Sequence, residues 1–231
     1  MMKILCIMHA DFETPGVIEN WANKKGYPFK IVKPYKDENC SAVEDFTWLI
    51  VMGGPQTPLA LKKFPYLKDE IDFIGRTVAQ KKLVLGFCLG AQLIGEAFGA
   101  KTERSPEKEI GVFPIQLTSA AAQDPIMKDL PKSIPVTHWH NDMPGLTQNS
   151  VLLGSSQGCP RQIVRYGPLA YGFQCHLEIS HDGMKTMIAA CGDDLKPLRY
   201  VQNEAELLKQ DYTSINKIMF TILDRFSELR N

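Results

Sequence analysis

The residues with the clearest chemical potential are Gly86-Phe87-Cys88-Leu89-Gly90, a cysteine with a glycine two positions away on either side. This is the spacing of a nucleophile elbow, where the reactive residue sits on a strand-to-helix turn too tight for side chains at the flanking positions. A thiol there projects from the sheet at a helix N-terminus, and the free N–H groups and macrodipole favour the reactive thiolate. The plain alternative is a cysteine packed as a small hydrophobe, but such a residue does not require glycine on both sides.

A thiolate that attacks an amide needs a base to protonate the leaving amine, and the base needs an orienting carboxylate. Histidines occur at 9, 138, 140, 176 and 181. His176 closes a predicted strand two residues before Glu178, and alternation places both side chains on one side of an extended segment. Taken alone, such a pair is ordinary surface; beside an elbow it becomes the first candidate. The rival is His138-Trp139-His140-Asn141-Asp142, whose H-x-H spacing could ligate a metal. No second cluster of acids or cysteines in the sequence completes a shell, so the segment reads as a loop at the pocket rim and no metal is expected. The tetrahedral intermediate also needs two N–H donors. Leu89 supplies one as the residue after the nucleophile. Gly54, in the Gly53-Gly54-Pro55 turn, could supply the other, although two glycines before a proline also suit a plain turn.

The elements that must position these groups are legible around them. Leu83–Phe87 is a short apolar run that reads as a buried strand, and Leu89, Leu93, Ala97 and Phe98 follow at helical spacing up to Gly99. Earlier, strands are expected at 3–9, 29–32 and 48–52, with helices at about 16–25 and 66–80. The alternation predicts an α/β fold with a mostly parallel sheet. After Gly99 the pattern shifts to short strands near 112–117, 136–139, 151–154, 162–166 and 170–175, with a loop over 118–135, so a β-rich C-terminal addition is expected, partly antiparallel. Ile215, Ile218, Ile222, Phe226 and Leu229 mark an amphipathic helix capped near Thr213 or Ser214.

Composition sets the frame. The chain has 231 residues, enough for one large domain over 1–231, and 26 basic residues balance 26 acidic ones, so neither nucleic acid nor an anionic membrane is an expected partner. The apolar N-terminal run is too short for a signal peptide or membrane span, and the six cysteines show no C-x-x-C pair or disulfide framework, which suggests a cytoplasmic protein.

Taken in order, Gly53-Gly54-Pro55, Gly86-Phe87-Cys88-Leu89-Gly90-Ala91-Gln92 and His176-Leu177-Glu178 resemble the class I glutamine amidotransferases. Glu109-Ile110-Gly111 and His140-Asn141-Asp142 extend that likeness to the stand-alone branch similar to the glutaminase domain of GMP synthase. The resemblance covers most of the chain, from Lys3 to about Ile188. It implies a flavodoxin-like sheet flanked by helices, a Cys88-His176-Glu178 triad, and hydrolysis of a γ-glutamyl amide through a thioester, with no cofactor. It also implies that Gln92 and the backbone near Gly53 and His140 hold the amino-acid end of the substrate. Gln56-Thr57 departs from the small residue and serine of many relatives. Because the sequence ends at Asn231 without a synthase domain, released ammonia would need an ammonia-accepting synthase in trans. The expected activity is therefore that of a glutaminase or amidotransferase subunit, with a γ-glutamyl peptidase and a non-catalytic relative as the alternatives.

Overall fold

A computed structural model describes residues 1–229. Its core is a sheet laid down in the order expected of alternating elements. Strand β1 (Ile4–Ile7) leads through helix α1 (Val17–Lys24) to β2 (Phe29–Val32), and β3 (Trp48–Val51) through α2 (Tyr66–Ala79) to β4 (Leu83–Phe87). Helix α3 (Leu89–Ala97) follows directly. Then come β5 (Glu103–Leu117), β6 (Ser133–Met143), β7 (Val151–Ser155), β8 (Ile163–Gly167) and β9 (Ala170–Phe173). The chain closes with α4 (His181–Cys191), β10 (Tyr200–Val201), the short α5 (Glu204–Leu207) and α6 (Tyr212–Glu228).

Five adjacent strands, β2-β1-β3-β4-β9, pair in parallel, which is the flavodoxin-like order. Beyond β9 the sheet continues antiparallel through β8, β7 and β5, with β6 paired to β5 and β10 added in parallel on the far side of β5. This is the β-rich addition. Every residue of β1, β3 and β4 is buried, as strands covered on both faces must be. Helices α1 and α6 cover one face, where Trp21 and Phe226 pack on Trp48; α2 and α3 cover the other through Phe73, Ile74, Leu93 and Ile94. Among the described residues no helix is long and apolar enough to cross a membrane.

Several boundaries differ from the sequence reading. Strand β5 begins at Glu103 rather than near Val112, because its polar first half pairs with β6 across a register shift between Arg104 and Glu109. Residues 138–142 are not a loop: they lie inside β6, with His140 opposite Glu109 and His138 opposite Gly111. The last helix starts at Tyr212 and is capped by Asp211, whose carboxylate accepts the Ser214 N–H at 3.1 Å.

The arrangement collects the chemistry at one edge. His9, Gly53 and Cys88 lie just past the carboxyl ends of β1, β3 and β4, and His176 lies three residues past β9. These four strands are neighbours, so loops that are distant in sequence meet at the carboxyl edge where open α/β sheets place their sites.

Candidate active site

Strand β4 delivers the chain to Cys88, which has φ 49° and ψ −108°, a left-handed backbone that is costly for a residue with a side chain. The turn is held by the Cys88 N–H, which donates to the Phe173 carbonyl at 2.7 Å. The flanking glycines are a steric requirement. A Cβ on Gly90 would overlap the Val51 carbonyl oxygen, and one on Gly86 would come within 2.5 Å of the Gly90 carbonyl. Together these contacts let α3 start immediately against β3.

His176 and Glu178 do not lie on a regular strand. The segment bends after Phe173, and His176 makes one antiparallel bridge with Thr137. The two side chains nevertheless meet, with His176 Nδ1 2.6 Å from Glu178 Oε1, both buried. His176 Nε2 is buried without a hydrogen-bond partner of full geometry, while the imidazole and the Cys88 thiol interact side chain to side chain. Burial acts to lower the His176 pKa, but the charge and hydrogen bond of Glu178, together with Cys88, lift it well above the usual imidazole value.

The thiol departs from the sequence expectation. Burial pushes the Cys88 pKa up, with Glu13 adding to the rise. His176 and the Leu89 N–H pull it down, as a helix N-terminus should, without prevailing. Cys88 Sγ lies 3.7 Å from the Trp139 carbonyl oxygen.

Cys88 opens into a cleft of about 250 Å³ that Gly54, Gln92 and His140 also line. Gly53 packs against the cysteine itself, since a Cβ there would come within 3.3 Å of Cys88 Cβ. Gln92 is 3% exposed; its Nε2 donates to Gln174 Oε1 at 3.1 Å, and its Oε1 has no partner. The structure therefore brings together all of Cys88, His176, Glu178, Gly53, Gly54, Leu89, Gln92 and His140.

It also adds residues that carried no sequence signal. Glu13, in the loop after β1, lines the cleft with a buried Oε2 that has no partner, pressed against Gly53. Arg104 and Lys108 bring positive charge to the cleft wall, paired with Asp142 and Asp194 at 2.6 Å each. Asp142 also accepts the Thr57 hydroxyl at 2.7 Å, which ties the loop after β3 to β6.

Strand pairing gives His138 and His140 the acidic neighbour that the linear sequence hides. Glu109, His140 and Cys159 have ligand atoms within 4.8 Å of one another. Glu109 Oε2 is already engaged, accepting Ser156 Oγ at 2.8 Å and Gln162 Nε2 at 2.7 Å, with His140 Nε2 at 3.2 Å. These groups form a closed hydrogen-bonded network behind the cleft. Burial drives His138 down to about 3, so it is neutral there, while at Glu109 burial is outweighed by the hydrogen bonds from His140 and the Ser156 hydroxyl, which hold it below its ordinary value.

Comparison with known proteins identifies a family. Residues 13–192 match the family model "Glutamine amidotransferase class-I". The chain is 38% identical over 233 residues to the glutamine amidotransferase-like protein YfeJ of Salmonella typhimurium, covering 98% of both. A 32% identity over 117 residues links 48% of it to 61% of the glutamine-hydrolyzing GMP synthase subunit from Pyrococcus abyssi. The crystal structure of a glutamine amidotransferase from Thermotoga maritima superposes with a TM-score of 0.88 at 25% identity, covering 98% of each chain.

Proposed function

The chain belongs to the class I glutamine amidotransferases, and from that premise we propose that it hydrolyses a γ-glutamyl amide at Cys88, converting glutamine to glutamate and ammonia. The observation that carries the proposal is the line from Glu178 Oε1 to His176 Nδ1 at 2.6 Å, continued by an imidazole whose unpartnered Nε2 serves the Cys88 thiol.

In this reading His176 Nε2 takes the thiol proton as Sγ attacks the amide carbon, and Glu178 stabilises the imidazolium that forms. The oxyanion settles between the N–H groups of Leu89 and Gly54. His176 then returns the proton to the leaving nitrogen, the C–N bond breaks, and ammonia departs from a thioester. Water, deprotonated by the same imidazole, attacks the thioester through a second oxyanion and releases glutamate and the thiol. Gln92, His140 and the backbone at Gly53 hold the amino-acid end. The Arg104 and Lys108 cations suit its carboxylate, and Glu13 suits its ammonium.

The relation to the glutamine-hydrolyzing chain of GMP synthase supports a synthase partner as acceptor of the ammonia. The six cysteines are all unpaired, which supports a reducing, cytoplasmic setting. The proposal is tested by incubating purified protein with glutamine and a panel of γ-glutamyl amines and dipeptides while measuring free glutamate and ammonia. Release of glutamate that disappears in Cys88→Ala is expected. Preference for a dipeptide over glutamine would make the enzyme a γ-glutamyl peptidase on the same machinery, and no release from any compound would overturn the hydrolase reading.

A further inference from the structure

A second histidine–carboxylate pair lies beneath the Gly53-Gly54 turn. His9 and Glu70 of α2 are 1% and 2% exposed. His9 Nε2 is 2.9 Å from Glu70 Oε2, and His9 Nδ1 is 3.2 Å from the Gly53 carbonyl oxygen. A carbonyl can only accept, so the ring must present an N–H at Nδ1 to Gly53, and a second N–H at Nε2 gives the charged ring a bond to Glu70. The surroundings favour that charged form: burial opposes it, but Glu70, Glu13 and the Gly53 carbonyl together raise the His9 pKa.

The carbonyl that His9 grips belongs to the same peptide unit as the Gly54 N–H. Among the described residues there is no cis peptide bond, and in a trans unit C=O and N–H point in opposite directions. Fixing the carbonyl toward His9 therefore fixes the N–H away from it, and Gly54 lines the cleft shared with Cys88. A flipped peptide would lose its bond to His9 and set N–H against N–H in a buried site. The turn is further clamped by Gln56 Nε2, which donates to the His9 carbonyl at 2.9 Å. Gly54 packs so closely on His9 that a Cβ would overlap the His9 side chain.

Building on the hydrolase reading above, we propose that His9 and Glu70 are positioning residues. They hold the Gly53–Gly54 peptide with its N–H turned into the Cys88 cleft, so that the oxyanion hole stands formed in the isolated chain.

The test compares wild type with His9→Leu, His9→Gln and Glu70→Gln. In His9→Leu, kcat should fall about 10²-fold, the loss typical of one oxyanion donor, while KM changes little. Affinity for glutamate γ-semialdehyde, whose adduct with the thiol places an oxygen in the hole, should fall by a similar factor. Alkylation of Cys88 by iodoacetamide creates no oxyanion and should keep its rate. His9→Gln, with an amide donor for Gly53, should recover part of the loss, and Glu70→Gln should fall between it and wild type. Unchanged kcat, or kcat and alkylation falling together, would overturn the proposal. A crystal structure of His9→Leu with the Gly53–Gly54 peptide unmoved would overturn it whether or not the wild type hydrolyses glutamine, which separates this failure from failure of the hydrolase reading.

Discussion

His176 Nδ1 lies 2.6 Å from Glu178 Oε1, although only Leu177 separates the two residues and neither sits in a regular strand. Besides the bridge between His176 and Thr137, four hydrogen bonds hold this bent segment. Glu178 Oε2 accepts the Leu177 N–H at 3.0 Å, the Glu178 carbonyl accepts the Val17 N–H at 3.1 Å, and Asn216 Nδ2 donates to the carbonyls of Leu177 and Ile179 at 2.7 and 3.0 Å. Helices α1 and α6 thus position the base from one face of the sheet while α3 presents the thiol.

The roles within the set should separate kinetically. Cys88→Ala and His176→Ala are expected to reduce glutamate release to background. Glu178→Gln, which removes an orienting charge but no reacting atom, should retain activity about 10-fold or more above either variant. Steady-state kinetics on γ-glutamyl substrates checks the ranking. Equal loss in His138→Ala would move the base.

Asn216 should matter although it is remote from the cleft chemistry. Asn216→Leu removes two hydrogen bonds from buried carbonyls and should cost about 2–3 kcal/mol in urea denaturation. In the folded fraction kcat should fall more than KM rises, because the loop carrying His176 loses its anchor.

Two glycines give opposite expectations. Gly90→Ala drives a methyl into the Val51 carbonyl, where backbone has nowhere to go, and should destabilise by about 3 kcal/mol or more. Gly75 lies within α2 with nothing within 4 Å of a Cβ, so Gly75→Ala should stabilise by roughly 0.5–1 kcal/mol. Chemical denaturation of both variants provides the measurement.

The elbow is readable in the sequence because its constraint is local: two glycines, a strand and a helix all fall within a short stretch. The pairing of His176 with Glu178 is readable for the same reason, although a bend replaces the extended segment that suggests it. What the sequence hides is long-range. Glu109, Gln162 and Cys159 reach His140 only through strand pairing and the turn after β7, and no periodicity announces which strand lies opposite. Glu13 and His9 sit in or beside an irregular loop, where pattern carries no information about direction. The raised pKa of the thiol is equally hidden, because a motif records the helix N-terminus but not the depth of burial.

Glu13 offers a direct reading of that electrostatic balance. Burial raises its pKa, while His176 and His9 oppose the rise, and its charge in turn pushes Cys88 up. Glu13→Gln removes a neighbouring anion, so the thiolate becomes easier to form and the midpoint of the pH–rate profile for iodoacetamide alkylation of Cys88 should move to lower pH. An unmoved midpoint would mean that Glu13 is already protonated in the resting cleft.

Stability should peak near pH 6.5, because the buried histidines pull in opposite directions. His138 is held down to about 3, against 6.5 for a free imidazole. Below pH 6.5 the unfolded chain therefore takes up a proton that the folded chain refuses, and stability falls with acidification by up to about 1.4 kcal/mol per pH unit. His9 has a raised value. Its contribution is fully present below 6.5 and is lost as pH climbs through its folded pKa. Glu109, held below its ordinary 4.5, supports the fold above that value and loses its contribution only as pH falls through its lowered pKa, so it does not shape the interval between pH 6.5 and 5. Glu13 and Asp124, both raised by burial, take up protons in the folded chain as pH falls and offset part of the loss, so the His138 share is read by difference. Urea denaturation at pH 6.5 and 5.0 should show wild type losing about 1.5 kcal/mol more than His138→Phe, whatever the absolute stability of that variant. An equal loss in both proteins would mean that the network around Glu109 admits the proton and that His138 is not held neutral.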